Sequence, residues 1–145
     1  MRHATAVRRL RLIAERAQQV CALWDEGTGL AAVHAFGEVV EPPGERASVE
    51  VVQVLLTVHA AADEVPWCAR PPQFAGLPYV LELEKAPVDW YFWPAAIPVG
   101  NHVVTGPVLI WDRTAGIRTD ALDALAAGRA EPLRQPRPGP AQRRV

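Results

Sequence analysis

Cysteine is scarce in this chain, and long apolar runs are missing. Only Cys21 and Cys68 occur in 145 residues. They lie far apart, form no CxxC, and have no histidine at zinc-ligand spacing. That excludes a disulfide framework or a structural zinc as the basis of the fold. It points to reduced, buried thiols and a cytoplasmic protein. The most apolar stretch, 51–58, is far too short to span a bilayer, so no membrane partner is expected. The basic start (Arg2, Arg8, Arg9, Arg11) runs into interleaved apolar and charged residues, which reads as an amphipathic helix and not a leader. No internal repeat is visible.

What is there is an ordinary globular balance. Half of the residues are apolar and 21% are charged, enough for one domain with a core of its own. Net charge is −1, unevenly spread. Residues 1–16 and 129–145 each carry net +4, which leaves the segment between them at −9. An acidic body with basic ends excludes a broad nucleic-acid surface on the folded part.

Periodicity outlines the elements. Val7, Leu10, Ile13, Ala14, Ala17, Val20, Cys21 and Trp24 recur at helical steps, predicting a helix over 5–26 that Gly27 and Gly29 stop. Thr5 is its expected N-cap. Residues 30–40 read as a strand interrupted by Gly37, and 41–46 as a loop. Residues 48–59 are apolar on both faces, predicting a strand inside a sheet that is covered on both sides. Residues 60–76 read as irregular, 78–85 as a helix opened by Pro78, and 88–93 as an aromatic strand. Val103–Val104 and 108–111 suggest a hairpin, and 118–127 a last helix. Prolines 132, 136, 138 and 140 alternate with polar residues, predicting a disordered Pro/Arg-rich tail over 129–145 behind a single domain at 4–128. The expected fold is α/β, a mixed central sheet of about four to five strands flanked by helices.

Two features carry candidate chemistry. One is Phe36-Gly37-Glu38, a nine-residue spacer, then Ser48-Val49-Glu50-Val51. The other is Val88-Asp89-Trp90 on the strand after a helix. Together they resemble the nucleotidyltransferase superfamily that includes small antibiotic and antitoxin nucleotidyltransferases. There a glycine lets the backbone approach phosphates, and two strand carboxylates two residues apart join a third to hold divalent metals. The resemblance implies Glu50 and Asp89 as metal ligands, with magnesium as the cofactor if the site is retained. It implies Gly37 as the phosphate approach, with Glu38 and Ser48 beside it. Glu38 stands where that family has Gly or Ser, and Ser48 where it has the first carboxylate. The resemblance therefore implies a catalytically degenerate, nucleotidyltransferase-like domain that binds a nucleotide or partner without turnover. The alternative is a protein-interaction module of antitoxin, immunity or adaptor type, with no small-molecule site. A looser resemblance, through Glu64-Val65-Pro66-Trp67, Lys85-Ala86-Pro87-Val88 and Asn101-His102, is to bacterial conserved proteins of unknown function.

Other residues stay open between structure and function. The block Trp90-Tyr91-Phe92-Trp93 reads as a central strand buried by helices on both faces, or as an aromatic wall for a planar ligand. Trp67 and Trp111 are expected to join it, their indole N–H groups needing acceptors. Arg70 reads as a surface arginine, or as an anion contact near Gly37. Of four histidines, His3 reads as solvated and His34 and His59 as structural. His102, in a Gly-rich loop, is the best functional candidate.

Overall fold

The computed structural model describes residues 1–24, 28–41, 48–85 and 87–128. The expected tail at 129–145 lies outside them, as does most of the loop at 41–46.

A long helix α1 (His3–Trp24) opens the chain. It begins before Thr5, so that residue is no N-cap. Its buried residues, from Ala6 through Leu10, Ile13 and Ala17 to Val20, form the stripe the periodicity predicts, but the stripe ends there: Cys21 is only half-buried and Trp24 is exposed. Strand β1 (Leu30–Phe36) follows, then β2 (Val52–Val58), a single-turn α2 (Leu77–Val80), β3 (Val88–Pro94), β4 (Val108–Asp112), β5 (Gly116–Ile117) and α3 (Thr119–Ala126). The five strands form one mixed sheet in the order β3-β2-β1-β4-β5. β1 is antiparallel to β2 and β4, and β2 is parallel to β3. The class is α/β, as expected.

The helices lie on one face. Val33, Ala35, Val54, Leu56 and Phe92 share a core with α1, with Leu77 and Leu81, and with Leu122 and Leu125. A register shift in the β1–β4 pairing turns both Ile110 and Trp111 into this core. Trp111 donates its indole N–H to Gln18 Oε1 at 3.0 Å. The opposite face carries a smaller cluster of Phe36, Leu55, Trp93 and Val104, with Trp67, Tyr91 and Val99 packed on it. Among the described residues no α-helix covers that cluster. Two loops do, one carrying Trp67 and the other spanning 95–107.

Several local readings change. The helix at 78–85 shrinks to one turn, because Glu82 adopts φ +59, which breaks the helix before a 3-10 turn at Leu83–Lys85. The hairpin at 103–111 does not form. Residues 103–104 lie in a bend where Asn101 Oδ1 accepts the N–H groups of Val103 and Val104 at 2.7 and 2.6 Å. Strand β4 pairs with β1 and β5 instead. Cys21 is only half-buried and Cys68 is exposed with φ +67, so neither thiol is buried as expected. His3 is half-buried and donates from Nε2 to Val39 O at 3.0 Å, so it is not simply solvated. His59 falls just past β2 and is exposed. Among the described residues, no helix is long and apolar enough to cross a membrane.

Candidate functional site

The sequence motif converges on one end of the loop-covered face. β1 ends at Phe36, and the next residue, Gly37, has φ +79, a backbone conformation glycine takes without penalty. A Cβ there would overlap the amide of Gln53, whose Cδ would be only 3.0 Å away. Gln53 stands opposite Phe36 on β1 and opposite Asp89 on β3. One sheet row thus reads Phe36, Gln53, Asp89, with Gly37 just beyond it. Gln53 is half-buried and Asp89 exposed.

Ser48 and Glu50 do not project from β2, which begins only at Val52. The residues before it are drawn to the chain start. Val49 N–H donates to Met1 O at 2.7 Å, the Met1 amino group donates to Val49 O at 2.8 Å, and Arg2 bridges Ser48. Val52 N–H then turns to Pro87 O at 2.9 Å and starts the parallel ladder. Glu50 is left exposed ahead of the strand, and its N–H donates to Glu38 Oε2 at 3.0 Å. Glu38, Glu50 and Asp89 are therefore gathered at one sheet end, but in three different settings. Among the described residues no group of three or more His, Cys, Asp or Glu could hold a metal ion. The donor set does not fit the magnesium site of the resembled family, and no step through a metal is derived.

The remaining candidates lie elsewhere. The segment around Cys68 wraps the β3 edge. Trp67 stacks on Tyr91 at 5.0 Å on one face, and the Arg70 guanidinium sits 4.6 Å over the Trp90 ring on the other. Arg70 is thus committed to an aromatic face. Of the aromatic block, Phe92 and Trp93 are buried and Trp90 and Tyr91 half-buried. Trp90 and Phe92 belong to the helix-side core, Tyr91 and Trp93 to the loop-side cluster. The block packs into both sheet faces, on an edge strand covered by loops on one side and not by helices on both. Trp67 joins its loop-side half, whereas Trp111 belongs to the other core. Trp93 donates its indole N–H to Ile97 O at 3.0 Å. His102 is exposed in the 95–107 loop.

Sequence reasoning missed Gln53. The signal was parity: with Asp89 on a parallel neighbour, the odd positions of β2 share its face, and those are 53, 55 and 57. His34, read as structural, is buried on β1. Burial holds His34 well below the ordinary imidazole range, at about 4, although the Asp112 carboxylate pulls the other way.

Residues 1–145 match a family described as a domain of unknown function, DUF7711, and the chain belongs to that family. No curated protein matches it. A crystal structure from Sulfolobus solfataricus, provisionally described as a nucleotidyltransferase, is similar at 18% identity over 81% of this chain and 94% of that one, with a TM-score of 0.48.

Proposed function

We propose that this protein is a catalytically degenerate nucleotidyltransferase-like domain that binds a nucleotide or a protein partner without turnover. One observation carries the reading. Gln53 places its amide in the space beside Gly37, on the row of Asp89, where the resembled family gathers phosphate and carboxylates. The strand arrangement is consistent with it: an antiparallel β1–β2 pair, then a third strand parallel to β2 that carries the last carboxylate. Glu38, Glu50 and Asp89 form no ion pair among the described residues. Their charge repels bare phosphate, so a nucleotide would enter with its own divalent cation.

The test is a thermal-shift panel of ATP, GTP, CTP and UTP, each with and without magnesium, on wild type and Asp89→Ala. A ligand at about 100 times its dissociation constant stabilises by about 2.7 kcal/mol, several degrees in Tm. The reading predicts a cation-dependent shift, diminished in Asp89→Ala, with no pyrophosphate released. Release of pyrophosphate would refute degeneracy. No shift with any nucleotide would remove the nucleotide and leave the protein partner.

A pure interaction module is a second reading, favoured by a different surface. Trp24 is exposed and lines a hollow of about 320 Å³ with Thr28, Gln73, Gly76, Leu77 and Val80, and its chain neighbour Leu23 and Tyr79 of α2 are exposed as well. Retention of a partner by wild type and its loss in Trp24→Ser, with Asp89→Ala unaffected, would favour this reading over the first.

A further inference from the structure

Two polar atoms on the loop-covered face are buried and lack a hydrogen-bond partner among the described residues: His34 Nδ1 and Thr57 Oγ1. Their residues are 7% and 6% exposed. They are neighbours. Thr57 stands opposite Ala32 and His34 opposite Leu55, so the two are diagonal on one face, about 7–8 Å apart at Cα. On the other side of β1, Asp112 also faces Ala32. Ala32 carries only a methyl group, so it fills less of the space between Thr57, His34 and Asp112 than a larger side chain would. Interiors satisfy nearly all buried polar atoms, with ordered water where protein atoms do not reach.

We infer that an ordered water molecule sits over Ala32 and bridges His34 Nδ1 and Thr57 Oγ1. The inference is independent of the nucleotidyltransferase-like reading. Water has the chemistry the two atoms require. It can accept the threonine hydroxyl proton and donate to the imidazole lone pair, or do the reverse if Nδ1 carries the hydrogen. A cation lacks ligands among the described residues, where no group of three or more ligating side chains meets. An anion would face Asp112. That carboxylate is already engaged, its Oδ1 accepting Ala115 N–H at 2.6 Å and its Oδ2 lying 3.5 Å from Arg118. It therefore marks the far wall of the site and does not fill it.

The experiment compares Thr57→Val, His34→Leu and the double variant by thermal unfolding, beside a crystal structure of the wild type. Thr57→Val keeps volume and removes the hydroxyl. With a bridging water, it lowers Tm by several degrees. The double variant then loses less than the sum of the single losses, because either change already releases the water. If the hydroxyl were an orphan, Thr57→Val would leave Tm unchanged or raise it, which would overturn the inference. The crystal structure decides even if a variant does not fold. Density for one oxygen within 3.2 Å of both atoms supports the bridge, and no density between them refutes it.

Discussion

The two faces of the sheet are built on opposite plans. One is closed by α1, α2 and α3 over a continuous apolar core. The other is roofed by loops over a small aromatic cluster, and it holds the polar residues: Gln53 and Asp89 at one end, His34, Thr57 and Asp112 towards the other. A helix brings its own backbone hydrogen bonds to a face and needs only apolar partners. A loop leaves gaps, and polar side chains or water occupy them. The difference teaches that one face supplies stability while the other is where chemistry or recognition can be placed.

The largest effect should separate two neighbours. Leu55 and Leu56 are both fully buried, on opposite faces of β2. Leu56→Ala should cost about 3–5 kcal/mol in urea unfolding, because the helix-packed cavity cannot collapse. Leu55→Ala should cost about 2–3 kcal/mol, because the loops can settle into the space. Equal costs would break the comparison.

The second test is pH. The folded His34 pKa is about 4, against about 6.5 when unfolded, so the unfolded chain binds the proton more readily. Its contribution is full above pH 6.5 and falls as pH drops towards 4, by about 3 kcal/mol in all at 1.36 kcal/mol per unit. His34→Leu should flatten the stability–pH curve in that window. A slope unchanged in the variant would show that another group is responsible.

The third concerns Gly37. Gly37→Ala should cost about 1–2 kcal/mol for the left-handed backbone, plus the overlap with Gln53. In a double variant with Gln53→Ala only the overlap should be recovered. Full recovery would mean the backbone is not held at positive φ. Smallest is Arg70→Ala, which should cost at most about 1 kcal/mol, because the cation–π contact over Trp90 lies at the surface.

Much of this organisation was legible in the sequence. The stripe on α1, the doubly apolar β2 and the split of Trp90 and Phe92 from Tyr91 and Trp93 all follow from period alone. What failed depended on partners that periodicity does not name. Strand β2 starts at Val52 because the chain start captures residues 48 and 49, which moves Ser48 and Glu50 off the sheet row. The 78–85 helix fails because Glu82 takes a left-handed turn that its residue type does not advertise. Gln53 was overlooked because motif matching seeks carboxylates, whereas the parallel register with β3 is a tertiary fact.

The most direct test of the central claim is an NMR titration of the 15N-labelled protein with magnesium nucleotides. The account predicts amide shifts at Gly37, Gln53 and Asp89, with the hollow at Trp24 and Val80 unmoved. Shifts confined to that hollow, or none with any nucleotide, would contradict nucleotide binding at the Gly37 end of the sheet.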